Sequence, residues 1–205
     1  MAAPAAAVRP TSNGFAAGPD LRFAAEQALL EVIERDAFLI SWVHRLETHP
    51  FAADTLPDPD AAAIAKLYAR RGVRMDVHLL PTDGTAFVVM AIGWSDQDPA
   101  AVVGLGAAQD PLLAAHSAVL EVGQVRPALR ARLRDPAVEE RRAELAADPS
   151  QVADLEDHDL LYSVPAVAAE RDGPPASLGA PSVDHPAPAG QDAGGSGGLA
   201  GAGGR

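Results

Sequence analysis

The chain has 205 residues, no cysteine, 48% apolar residues and a formal net charge of −12. That length permits one sizeable domain plus tails, and the missing thiol excludes disulfides, thiolate metal sites and a cysteine nucleophile. The negative balance argues against nonspecific nucleic-acid binding, which needs lysine and arginine on phosphate, and against an anionic membrane surface.

Residues 1–10 are alanine-rich, broken by Pro4 and Pro10, and carry no basic stretch before an apolar one. They read as a disordered start and not as a signal peptide. Gly18-Pro19-Asp20 opens a helix predicted over 21–46, with an apolar face of Leu29, Leu30, Ile33, Ala37, Ile40 and Leu46. Phe38 and Trp42, at helical spacing, are expected in the core. Asp58-Pro59, Asp110-Pro111 and Asp135-Pro136 each set a capping acceptor before a proline at the first helical position. The helix near 59–71 should end at Gly72. Strands are predicted over 73–80 and 85–92, joined as a hairpin by Pro81-Thr82-Asp83-Gly84, with a third short strand over 101–105. The apolar run 86–92 is too short to span a bilayer, so the cytoplasm is the expected location. A helix follows near 111–125, then further helical segments to about 147. This order predicts an α+β fold, a mixed or antiparallel sheet with long helices packed on one face. From Asp172 the texture becomes Gly, Pro, Ala and Ser, so 172–205 read as a disordered low-complexity tail and 11–171 as the folded domain.

Glu31 and Glu34 stand three residues apart on one helical face, with Arg35 beside them. Spacing alone leaves two readings. One is a solvated face with a Glu31–Arg35 ion pair; the other is a pair of hard oxygen ligands for Mg²⁺. Ser117, Glu121 and Gln124 share a second stripe. Arg126 would point elsewhere on an unbroken helix, but Pro127 disfavours the α region for the residue before it. The helix is therefore expected to end or bend there and to swing Arg126 toward the same site. Gly104-Leu105-Gly106 fits either a backbone approach to a ligand or a strand-to-loop transition. Asp157, His158 and Tyr162 form a compact polar group, either substrate-contacting or structural. The remaining histidines show no metal-ligand spacing, and no Gly-x-Ser-x-Gly elbow is present.

In order along the chain, these segments resemble the YcaO family. Thr11-Ser12-Asn13-Gly14-Phe15-Ala16-Ala17-Gly18 looks like its Ser-Asn-Gly-x-Ala-x-Gly segment. Glu31-Val32-Ile33-Glu34-Arg35-Asp36-Ala37 matches its Glu-x-x-Glu-Arg-Asp-Ala helix. Gly104-Leu105-Gly106-Ala107 and Glu121-Val122-Gly123-Gln124-Val125-Arg126 look like its third segment. Asp157-His158-Asp159-Leu160-Leu161-Tyr162 resembles the Asp-His-x-x-x-Tyr stretch of azoline-forming members.

The resemblance implies an ATP- and Mg²⁺-dependent cyclodehydratase acting on a ribosomally made precursor peptide, as in thiazole/oxazole-modified peptide and bacteriocin biosynthesis. A Cys, Ser or Thr side chain attacks the preceding carbonyl. The oxyanion takes the γ-phosphoryl group of ATP, and phosphate leaves with net loss of water. Other members use sulfide to make thioamides. By position, Glu31 and Glu34 would ligate Mg²⁺, and Asn13, Arg35, Glu121, Gln124 and Arg126 would contact ATP. The family has another Glu-x-x-Glu helix upstream of the Ser-Asn-Gly segment, whereas here residues 1–10 precede it. Phe23 stands where many members carry an acidic nucleotide contact. The resemblance therefore implies the carboxyl-side portion of the domain. Its second reading is a noncatalytic remnant or partner-binding subunit. A leader-binding partner protein is expected, and a homodimer is left open.

Overall fold

Asp20, Asp58, Asp110 and Asp135 each start a helix by accepting a backbone N–H two or three residues on, at 2.7–3.0 Å. Asp154 does the same for a shorter one, to the Asp157 amide at 2.9 Å. The computed structural model describes residues 13–51, 56, 58–84 and 86–170. The expected disordered start and tail, 1–10 and 172–205, lie outside the described residues, as do Thr11 and Ser12. The helices are α1 (Leu21–His44), α2 (Pro59–Ala69), α3 (Pro111–Arg132), α4 (Pro136–Ala147), α5 (Leu155–Tyr162) and α6 (Pro165–Glu170). The strands are β1 (His49–Phe51), β2 (Arg74–Leu80), β3 (Phe87–Trp94) and β4 (Ala101–Ala108). They form one antiparallel sheet in the order β1-β2-β3-β4. The α+β class is as the sequence predicts.

Helices on one face only were expected, but they cover both. Val88, Met90 and Ile92 of β3 pack with Ala37 and partly buried Ile33 and Phe38 of α1. Val89 and Ala91 pack the other way, with Ala61 and Tyr68 of α2 and Ala118, Val119 and Val122 of α3. An apolar run on a strand, rather than alternation, is the mark of a sheet buried on both sides. Helix α1 ends two residues before the expected 46, because Arg45 turns left-handed at φ 51° and the Leu46 amide closes on the Ser41 carbonyl at 3.0 Å. Its buried positions are Ala37 and Ser41, while Leu29 and Ile40 of the expected apolar face are exposed. Strand β1 was not anticipated; three residues with a central proline carry no periodicity, and proline suits an edge strand.

Two further expectations change around α3. The helix neither ends nor breaks at Pro127 but continues to Arg132. Proline there has no N–H for the Gly123 carbonyl four residues back. The Tyr68 hydroxyl donates to that carbonyl instead, at 3.4 Å. A Cβ on Gly104 would overlap the Ala118 carbonyl oxygen, and one on Gly106 the Ala114 carbonyl oxygen. These glycines let the backbone of α3 lie against β4. No described helix is long and apolar enough to cross a membrane.

Candidate functional site

Because α1 and α3 lie on opposite faces of the sheet, their side chains can meet only around an edge. Strand β4 supplies that edge, and Glu34 of α1 and Glu121 of α3 meet there. Glu121 Oε2 accepts the Leu105 amide at 2.5 Å. The Ala107 amide acts on Glu34 by favouring its charged form. Both carboxylates, with Leu105, Ser117, Leu120 and Gln124, line a cleft of about 400 Å³. A second cleft of about 530 Å³ adjoins it through Ser117 and runs past Leu30, Ala108 and Leu113.

Charge in this cleft is unbalanced. The Glu34 carboxyl is pushed up to about 7, first by burial, then by the neighbouring Glu121 and, less, by Glu31. Arg35 and the Ala107 amide act the other way without cancelling these effects. Two carboxylates held close in a partly dry place favour a proton or a metal cation between them.

Glu31 is spent differently. Its Oε1 accepts from Arg35 Nε at 3.2 Å and its Oε2 from the Gly14 amide at 3.3 Å. The ion-pair reading of Glu31 and Arg35 is thus realised, and the same carboxylate ties the turn after Asn13 to α1. Gly14 has φ +78°, a conformation that favours glycine. Asn13 is exposed next to it.

Arg126 does not join the cleft. With the helix unbroken, it stays on the stripe of Val119 and Val122, buried, and the charged groups that perturb it are Tyr68 and Arg130. Burial lowers its proton affinity, and its Nη1 has no hydrogen-bond partner among the described residues. The expected swing toward Glu121 does not occur because α3 runs unbroken through Pro127, and the Gly123 carbonyl that proline leaves without its donor is served from α2.

Asp157 is buried and structural: Arg141 donates to it twice, at 3.1 and 2.8 Å, and the Ala153 amide once, at 3.0 Å. Arg141 and that amide hold its carboxyl below the usual carboxylate range. His158 is exposed and stacks on Tyr162, with ring centroids 6.2 Å apart. Tyr162 in turn meets Trp42 of α1 edge-on at 5.5 Å. Asp157 therefore pins α5 to α4 and Tyr162 pins it to α1, while His158 rests on Tyr162 of its own helix.

Among the described residues no group of three or more carboxylates and histidines is set to hold a metal ion. The donor set nevertheless fits Mg²⁺, which is commonly bound through one or two carboxylates together with waters and substrate phosphates. Glu34 and Glu121 supply that number. The backbone amides of Leu105 and Ala107 were missed from sequence; their only signal is a strand next to a helix bearing Glu121.

Fold and cleft define a class, an α+β layer with paired acids at its open sheet edge. The sequence model described as YcaO cyclodehydratase, ATP- and Mg²⁺-binding, matches residues 1–189, and the chain belongs to the YcaO family. Among solved structures it is similar to YcaO from Methanopyrus kandleri bound with AMPPCP and Mg²⁺, at 30% identity and TM-score 0.52, covering 59% of this chain and 33% of that one. It is also similar to a heterocyclase in complex with substrate and cofactor, at 26% identity and TM-score 0.57, covering 77% and 20%. The heterocyclase TruD shares the fold, at 24% identity and TM-score 0.55, covering 80% and 26%. The chain thus spans a third or less of the length of these proteins. Comparison with curated proteins gives no match.

Proposed function

We propose that this chain supplies the Glu34–Glu121 cleft to an ATP- and Mg²⁺-dependent enzyme that activates backbone amides of a ribosomally made precursor peptide and gives azolines by cyclodehydration. The observation that carries this reading is the meeting of two half-buried carboxylates at one strand edge, with Glu34 titrating near 7. Family membership and the nucleotide-bound and substrate-bound neighbours support it.

Glu34 and Glu121 would hold Mg²⁺, which when bound offsets the charge on the phosphates. Glu31 fixes Arg35 through Nε, which leaves the two terminal nitrogens to turn toward phosphate. The same carboxylate holds Gly14, and so places Asn13 at the mouth of the site. Gln124 and Ser117 add uncharged polar groups to the wall. Arg126, buried on the Val119–Val122 stripe, stays outside this cleft. His158 is the exposed member of the α5 group and the one available to a substrate. A leader-binding partner protein and a cytoplasmic setting complete the proposal.

The test is amide NMR of the full chain with Mn²⁺ in place of Mg²⁺, with and without ATP. Paramagnetic broadening centred on Leu105 and Ala107 that is lost in Glu34→Gln is the expected result. No broadening at saturating Mn²⁺ and ATP, or broadening indifferent to Glu34→Gln, overturns it.

A further inference from the structure

The second cleft, of about 530 Å³, adjoins the cation cleft through Ser117 but is built differently. Glu26 of α1 and Asp110 at the start of α3 line it, and among the described residues no arginine or lysine does. Arg35 acts instead on Glu34, in the first cleft. Leu30 of α1 and Leu113 of α3 stand on the two walls of the second. Apolar walls with a few placed polar groups, in a space of about 300–1,000 Å³, are the usual make-up of a small-molecule site.

One polar group of this cleft is set in place from outside it. His116 of α3 lines the cleft, and its enclosed Nδ1 lies 2.9 Å from Asp58 Oδ1. That oxygen is itself held, because it caps α2 through the amides of Asp60 and Ala61 at 2.9 and 3.0 Å. A carboxylate at one ring nitrogen fixes which nitrogen carries the proton and which way the ring faces. With Nδ1 turned to Asp58, Nε2 and its lone pair are left to the cleft. His116 precedes Glu121 by five residues, about 7.5 Å along the axis of α3. The imidazole is thus placed for the far end of a molecule whose phosphates sit on the cation.

We propose that the second cleft receives the nucleoside end of the nucleotide, and that His116, oriented by Asp58, selects adenine over guanine. This rests on the function proposed above. Charge sets the direction. The phosphates go to the cation and Arg35, because Glu26 and Asp110 repel them from the second cleft. The ribose is uncharged and brings hydroxyl donors, which those carboxylates accept. Leu30 and Leu113 cover the base. Nε2 is an acceptor and takes a hydrogen from the exocyclic amine of adenine, whereas guanine puts a carbonyl oxygen at that position and two acceptors face each other. His116 is a specificity-determining residue in this reading and Asp58 a positioning residue.

The experiment titrates the full chain with AMPPCP, GMPPCP and inorganic tripolyphosphate. Manganese broadening at Leu105 reports occupancy of the first cleft, and NMR with Mg²⁺ reads the ring nitrogens of His116 and the contacts of the base. AMPPCP should bind about five- to tenfold more tightly than GMPPCP, the worth of one hydrogen bond in a part-open site. Its adenine protons should show contacts to the methyl groups of Leu30 and Leu113, and Nε2 should shift as an accepting nitrogen does. His116→Ala should abolish the preference and leave the affinity for tripolyphosphate unchanged. Asp58→Asn keeps a good helix cap and should weaken the preference as the ring loses its fixed tautomer. Equal affinity for the two nucleotides, or a preference that survives His116→Ala, overturns the role of His116. A preference unchanged in Asp58→Asn overturns the positioning. Bound AMPPCP without base contacts to the two leucines overturns the nucleoside placement. In each of these cases broadening at Leu105 leaves the cation reading standing. No broadening with any of the three probes overturns that reading, and this one with it.

Discussion

Glu34→Gln is expected to stabilise the fold, and by an amount that depends on pH. Burial, then Glu121 and Glu31, push this carboxyl from 4.5 to about 7, against Arg35 and the Ala107 amide. In the unfolded chain those neighbours are gone and the group titrates near its ordinary value. The folded state therefore holds the proton more tightly, and ionised Glu34 destabilises it. The penalty is absent below pH 4.5, grows between 4.5 and about 7, and is complete above that. A displacement of ~2.5 pH units at ~1.36 kcal/mol each sets a ceiling of about 3 kcal/mol. Water reaching the mouth of the cleft reduces the effect, so about 1 to 3 kcal/mol is expected. Glutamine keeps nearly the same volume while removing the charge. Urea unfolding at about pH 4 and about pH 8 is the assay. The two proteins should coincide at the acid pH, with the variant more stable at the alkaline one. Equal stability at alkaline pH, or a gain of the same size at both, would refute the electrostatic account of the cleft.

Gly106→Ala places a methyl group on the Ala114 carbonyl oxygen, so α3 must lift from β4. Thermal unfolding should show a loss of about 2 kcal/mol, and the manganese signal at Leu105 should weaken with it. Tyr68→Phe removes the donor to Gly123 across the gap at Pro127, and urea unfolding should report a cost of at most about 1 kcal/mol. Asp157 has a lowered carboxyl, so its contribution is present above the ordinary carboxylate range and is lost as pH falls through the lower folded value. Arg141→Met should lower the melting temperature near neutrality and narrow the gap between variant and native chain in acid.

Local chemistry was legible where it acts alone. Asp58-Pro59, Asp110-Pro111 and Asp135-Pro136 each start a helix as read, and the hairpin of β2 and β3 follows its turn. Glu34 and Glu121 could be singled out by residue type and order, but not the Leu105 amide that Glu121 takes. Tertiary contacts explain the rest. Pro127 read as a stop because its compensation, the Tyr68 hydroxyl, lies 55 residues before the Gly123 carbonyl that it serves. Gly104 and Gly106 read as a loop or a ligand approach because α3 was not yet on the page to fill the space above them. The run from Val88 to Ile92 did carry the sign of a sheet covered on both faces, since every position in it is buried. Asp157 stayed open between substrate contact and structure because its bidentate partner comes from α4, a helix with no motif to announce it.

The vacancy left by proline in α3 has an outcome beyond that helix. The carbonyl it sets free belongs to Gly123, one residue before Gln124 and two after Glu121. Tyr68 takes hold there from beneath the layer. A fault in the wiring of one helix thus becomes a rivet through its working turn, and α2, which contributes nothing to the cleft, anchors the residues that line it.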